Sequence, residues 1–132
     1  MPTYEITVET TFSAAHALKL PDHMFEPIHG HDWRVAVTVA ATQLDEIECV
    51  MDFHELEAMV EAIIKPWRNE HLNSREPFRG ATIAIPKVNP TAERVAWHIG
   101  EEVAKQLDPR VSLVRVRIGE SPGCTAEYRP DA

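Results

Sequence analysis

The sequence predicts an α+β fold, a four-stranded antiparallel sheet carrying two helices on one face in the order ββααββ. Two observations lead there. Apolar residues alternate with polar ones near both ends of the chain, in Tyr4–Phe12, Trp33–Val39 and Val111–Ile118, the period of a half-buried strand. In the middle, Leu56, Met59, Val60, Ile63 and Ile64, then Val95, Ala96, Ile99, Val103 and Leu107, recur at spacings of three and four, the period of a helix with one apolar face. Helices segregated from strands in this way pack on one side of an antiparallel sheet.

Each element has its own signals. The first strand, Tyr4 to Phe12, is rich in β-branched and aromatic residues, with Ile6 and Val8 in phase. A loop is expected over Ser13–Gly30, punctuated by Pro21 and Pro27, and a loop of that length in a compact domain usually serves function. The second strand runs from about Asp32 to Thr42. Asp52, with Glu55 three residues on, is placed to cap the first helix, which ends near Pro66. Residues 69–89 contain Pro77, Gly80 and Pro86 and read as irregular, with a brief extended piece at Thr82–Ile85. Thr91 caps the second helix after Pro90, and Asp108-Pro109 closes it. Strands at Val111–Ile118 and Cys124–Arg129 complete the order.

Composition bounds the function. A chain of 132 residues with 44% hydrophobic and 26% charged residues is one ordinary globular domain, 1–132, with no linker. A net charge of −8 argues against broad nucleic-acid binding, which needs Lys and Arg to neutralise phosphates. Any phosphorylated substrate must therefore meet a local basic patch. Apolar runs fall short of a membrane span, and Met1-Pro2-Thr3-Tyr4-Glu5 lacks a signal-peptide pattern. Cys49 and Cys124 are too few for a disulfide framework, so a cytoplasmic protein with free thiols is expected.

The chemistry concentrates between Phe12 and Trp33. His29 and His31 are two residues apart at the start of a strand, so their imidazoles point to one side. His16 follows the first strand and can join them if the two strands pair as a hairpin. A bare His-x-His is more often structural than metal-binding. Three histidines on adjacent strand ends, however, make an open zinc site with a fourth position for water or substrate.

Phe12-Ser13-Ala14-Ala15-His16 followed by His29-Gly30-His31 resembles the 6-pyruvoyl-tetrahydropterin synthase and 6-carboxytetrahydropterin synthase family. The likeness continues in order through Val50-Met51-Asp52-Phe53, Leu72-Asn73, Pro77-Phe78, Asn89-Pro90-Thr91-Ala92-Glu93, Glu120 and Tyr128, and so covers nearly the whole chain. It implies the tunnelling fold, with three subunits joining sheets into a barrel and two trimers stacking into a homohexamer with sites between subunits. It implies Zn2+ held by His16, His29 and His31, a pterin substrate whose ring is anchored by Glu120, and Thr91 in the loop framing that ring.

The departures from the family pattern are informative. Relatives of the pyruvoyl and carboxy types carry a cysteine shortly before His-Gly-His, acting with an Asp-His pair ahead of Leu-Asn. Met24-Phe25-Glu26-Pro27-Ile28 has no cysteine, and either Arg68-Asn69 or Glu70-His71 stands where the pair belongs. Glu26 resembles the branch in which glutamate replaces the cysteine and the dihydropterin side chain is cleaved. Glu26 and His71 are thus the expected catalytic pair, ahead of His54 and His23. The implied activity is a zinc-dependent carbon–oxygen or carbon–carbon lyase acting on 7,8-dihydroneopterin triphosphate or a related dihydropterin. The alternatives are 6-carboxytetrahydropterin synthesis, which feeds queuosine and other deazapurines, and a catalytically silent pterin-binding protein.

Overall fold

The computed structural model describes residues 2–131, the side chain of His23 excepted. Two long strands, β1 (Tyr4–His16) and β2 (His29–Ala41), pair antiparallel along their whole length, from Tyr4 opposite Ala41 to His16 opposite His29. Helix α1 (Phe53–Ile64) follows, then a two-residue strand β3 (Glu70–His71), helix α2 (Ala92–Ala104), and the hairpin of β4 (Ser112–Ser121) and β5 (Cys124–Tyr128).

The sheet corrects the expected one. It has five strands in the spatial order β3-β1-β2-β4-β5, and the chain order is ββαβαββ. The additional strand runs parallel to β1, with Ala14 opposite Glu70 and Ala15 opposite His71. Two residues are too short to show a period of two, so nothing in the sequence pattern marks them. Asn69 turns the chain into this edge with φ 58° and donates its N–H to the Ser13 carbonyl at 2.6 Å. The expected loop is also shorter: pairing carries β1 to His16 and starts β2 at His29, leaving 17–28 to connect them.

Both helices begin as their cap residues predict. The Asp52 carboxylate accepts from the His54 N–H at 2.9 Å, and the Thr91 hydroxyl accepts from the Arg94 N–H at 3.1 Å. Leu56, Val60 and Ile64 of α1 and Val95, Ala96, Ile99 and Val103 of α2 are buried in one core with Val8, Phe12, Trp33, Val35, Val37, Val116 and Ile118 of the sheet. Each buried Val, Leu, Ile or Phe side chain among them contributes about 1.5–3 kcal/mol by leaving water. The site end of this core is aromatic, with the Phe12 ring 6.0 Å from Trp33 and 5.8 Å from Trp67. The indole of Trp33 donates to the Ala14 carbonyl at 3.1 Å, tying the floor of the site across β1 and β2.

Asn73, fully buried, joins three segments. Its side chain accepts from the Ala17 N–H at 3.0 Å and donates to the carbonyls of Ala17 at 2.8 Å and Ile83 at 3.1 Å. The extended piece expected near Thr82–Ile85 is a single bridge between those two residues. Among the described residues no helix is long and apolar enough to cross a membrane.

Candidate metal centre

Strand alternation places His16, with Ala14 and Phe12, on the helix-covered face of β1, and the register sets His29, His31 and Trp33 opposite them. The hairpin predicted from sequence therefore delivers three imidazoles to one end of one face. Ring centroids lie 4.7 Å apart for His16 and His29, 5.1 Å for His16 and His31, and 4.8 Å for His29 and His31. The Trp33 ring supports them, 4.8 Å from His16 and 5.5 Å from His31. Glu120, near the end of β4, completes the group: one ligand atom from each of the four residues lies within 4.8 Å of all the others.

The tautomers follow from the partners. His16 Nδ1 lies 2.7 Å from the Pro90 carbonyl and His29 Nδ1 lies 2.9 Å from the Pro27 carbonyl. A carbonyl can only accept, so both Nδ1 atoms carry the proton. In the neutral rings both Nε2 atoms then present lone pairs, and these face each other at 3.1 Å. Such a contact repels unless a proton or a metal ion lies between. Burial pushes the His16 pKa down, more than the Pro90 carbonyl and the Glu120 carboxylate raise it, and the other two histidines lower it further. Protonation is thus disfavoured where a lone-pair donor is needed. His31 Nε2 is buried without a hydrogen-bond partner, 3.2 Å from Glu120 Oε1. Two nitrogens bound tetrahedrally to zinc at 2.0–2.1 Å stand about 3.3 Å apart, close to the spacing seen. The donor set fits a divalent ion, and its carbonyl-bonded Nδ1 atoms are the outer support that orients imidazole ligands.

The remaining expected residues fall in different places. Glu26 is beside the group, with Oε1 3.7 Å from His29 Nε2. It is held there by its own loop: Oε1 accepts the Leu18 N–H at 3.1 Å, and the Glu26 N–H donates to the Leu18 carbonyl at 3.0 Å. Thr91 spends its hydroxyl on capping α2, one residue beyond the carbonyl that holds His16. His71 is outside the four-residue group. Its partner Ala15 alternates with His16, so His71 starts from the opposite face of the sheet edge, yet it lines a cleft of about 580 Å³ together with His31 and Gly30. Its Nδ1 accepts the Asn73 N–H at 3.2 Å, its Nε2 is buried and unpartnered, and burial lowers its pKa.

Of the two alternatives for the missing Asp-His pair, Arg68 and Glu70 are occupied in ion pairs, with Glu61 at 2.7 Å and Arg75 at 2.7 Å respectively. His54 is 90% exposed beside Glu57, away from the centre. The side chain of His23 lies outside the described residues. Sequence reasoning read Glu120 only as a ring anchor and missed its closeness to His31. The signal was its alternation with Ile118, which places it on the core face with the histidines.

An α+β sheet gathers three histidines and a glutamate at one end of its helix-covered face, a group that could hold a metal ion. The model of the 6-pyruvoyl tetrahydropterin synthase family matches residues 5–131, and the chain belongs to that family of pterin enzymes. It is 25% identical over 132 residues to 6-carboxy-5,6,7,8-tetrahydropterin synthase of Rickettsia bellii, covering 88% of this chain and 93% of that one. It is 32% identical over 117 residues to the dihydroneopterin monophosphate aldolase of Pyrococcus furiosus, covering 87% and 88%. In fold it is similar to the 6-pyruvoyl tetrahydropterin synthase of Caenorhabditis elegans, with TM-score 0.79 and 24% identity over 99% of this chain and 98% of that one.

Proposed function

We propose that the chain is a zinc-dependent lyase that cleaves the C6 side chain of a phosphorylated 7,8-dihydroneopterin between its first and second carbons. The observation that carries this reading is the Glu26 carboxylate, fixed by Leu18 and 3.7 Å from His29 Nε2, where the loop has no cysteine. The similarity to a relative named dihydroneopterin monophosphate aldolase supports it.

His16, His29 and His31 would hold the zinc, which lowers the pKa of a side-chain hydroxyl when bound. Glu26 takes the proton from the hydroxyl on the second side-chain carbon. The oxygen lone pair closes a carbonyl there, and the bond to the first carbon breaks. Its electrons pass into the C6–N5 imine of the ring, and a proton returned to the first carbon leaves a 6-hydroxymethyl dihydropterin and a phosphorylated glycolaldehyde. A positioned base of this kind is worth about 10²–10⁴-fold. His71, neutral and with a free Nε2 on the neighbouring cleft, is the second candidate for moving that proton. Glu120 anchors the ring by accepting paired hydrogen bonds from its amidine edge, with Thr91 in the framing loop.

The exposed apolar side chains of Met24, Phe25 and Ile28 around the site, with the outer edge of β5 open to pairing, support a homo-oligomer, a hexamer by family resemblance. The two free cysteines fit a reducing cytoplasm. Incubating the zinc-loaded protein with dihydroneopterin monophosphate and triphosphate, and weighing the products, tests the reaction. A 6-hydroxymethyl product is expected. A carboxy- or pyruvoyl-type product overturns cleavage in favour of synthase chemistry, which the Rickettsia relative favours, and binding without turnover makes the chain a pterin-binding module.

A further inference from the structure

Beyond the end of β1, the backbone groups of Ala17, Leu18, Lys19 and Leu20 are bonded alternately to two sides, as in a strand. Leu18 and Leu20 face the returning arm of their own loop. Leu18 donates its N–H to Glu26 Oε1 at 3.1 Å and accepts the Glu26 N–H at 3.0 Å, and Leu20 donates to the Met24 carbonyl at 2.7 Å. Ala17 and Lys19 face the other way, where their partners are two side chains rather than a strand.

Each of the two meets one asparagine. Asn73 closes on Ala17, accepting its N–H at 3.0 Å and donating to its carbonyl at 2.8 Å. Asn89 does the same for Lys19: Oδ1 accepts the N–H at 2.8 Å and Nδ2 donates to the carbonyl at 3.0 Å. A side-chain amide presents an acceptor and a donor side by side, so it can satisfy a peptide N–H and C=O together as a neighbouring strand would.

Asn89 is also tied to the histidines. Its own carbonyl accepts the Thr91 N–H at 2.8 Å, and the carbonyl of the next residue, Pro90, holds His16 Nδ1 at 2.7 Å. One short segment thus grips the chain at His16, in the histidine cluster, and at Lys19, in the loop that carries Glu26. Leu18, the residue that touches the Glu26 carboxylate, lies between the two asparagine grips.

We infer that Asn89 is a positioning residue for the lyase step: by clamping Lys19 in line with His16 it holds Leu18 where its N–H keeps the Glu26 carboxylate 3.7 Å from His29 Nε2. The inference deepens the proposed function and rests on it for the role of Glu26. Asn73 grips the chain in the same way but is buried, so its loss unsettles the fold. Asn89 is half-buried, and water can take over the Lys19 groups that it releases.

A double-mutant cycle tests this, because a residue that acts through Glu26 has nothing to act on once the base is gone. Zinc-loaded protein is assayed with dihydroneopterin monophosphate. Asn89→Ala should lower kcat by about 10- to 100-fold, the scale of a misplaced reacting group, with KM, zinc content and equilibrium affinity for dihydroneopterin unchanged. Combined with Glu26→Gln, it should lower turnover no further. Asn89→Asp, which keeps the acceptor and loses the donor, should lose less. A crystal structure of Asn89→Ala, which needs no turnover, should show the Glu26 carboxylate off the Leu18 N–H. Undiminished kcat in Asn89→Ala, a loss that multiplies with that of Glu26→Gln, or a variant structure with the Leu18 contact intact overturns the role of Asn89. Full turnover in Glu26→Gln, or none in the wild type, overturns the base reading instead, and the variant structure then still decides whether Asn89 places the carboxylate.

Discussion

His16 and His29 confront each other through Nε2 at 3.1 Å while their Nδ1 atoms are both committed to backbone carbonyls. Two lone pairs at that distance are a demand for a cation. The purified chain should therefore carry one zinc ion, and His16→Ala should lose it. Elemental analysis reads the stoichiometry. Restoring zinc at about a hundred times its dissociation constant should add about 2.7 kcal/mol to the stability of the stripped protein. A metal-free protein whose melting temperature ignores added zinc would end this reading.

Glu26→Gln separates binding from proton transfer. The amide keeps the volume and an acceptor for the Leu18 N–H but cannot take a proton, so zinc and pterin binding should persist while turnover falls by about 10²–10⁴-fold. Undiminished turnover would hand the role to His71.

Glu120 stands where two roles compete, because its carboxylate is 3.2 Å from His31 Nε2 and is also the proposed grip on the pterin ring. As an anchor, Glu120→Gln should weaken pterin binding by about 2–3 kcal/mol and leave zinc content untouched. Lost zinc with the pterin affinity of the remaining holoprotein intact would instead make Glu120 a metal ligand.

Burial lowers the pKa of His98, beneath the Trp67 ring at 5.5 Å, more than Glu102 raises it, and Lys105 lowers it further. An unfolded histidine takes up its proton near pH 6.5, and the folded one does so only at lower pH. Stability is thus fully present above about pH 6.5 and declines as pH falls from there through the folded value. Denaturant titrations of the stripped protein between about pH 7.5 and 5 should show that decline, shallower in His98→Gln. His16 and His71, lowered by burial in the same direction, contribute to what remains. An identical slope in the variant would remove His98 from this list.

Asn73→Ala strands the N–H and carbonyl of Ala17 and the carbonyl of Ile83 at a buried junction. The expected cost is about 2–4 kcal/mol, read as a lower melting temperature. A change within error would show that water replaces the amide.

The long strands, both helices and their caps were legible because each carries a period or a cap over many residues. The three histidines were legible for the same reason, since alternation alone fixes their face. The strand Glu70–His71 was not: its pairing is set by the turn at Asn69 and the Ser13 carbonyl, neither of which leaves a pattern in sequence. Nor was the packing of the Arg34 side chain over Gly119, because a glycine on one strand speaks to an arginine on another only once the register is known. The absent cysteine was visible at once. What Glu26 touches needed the Leu18 contacts.

The hydrogen bond from His16 to the Pro90 carbonyl reaches 74 positions along the chain, to the residue just before the cap of α2. The histidine cluster is thereby moored to the start of a helix rather than to a loop. Filling the centre should quiet the amides of Ala92 through Val95 and emptying it should let them breathe, so that deuterium uptake at the head of α2 serves as a gauge of occupancy measured from the far end of that mooring.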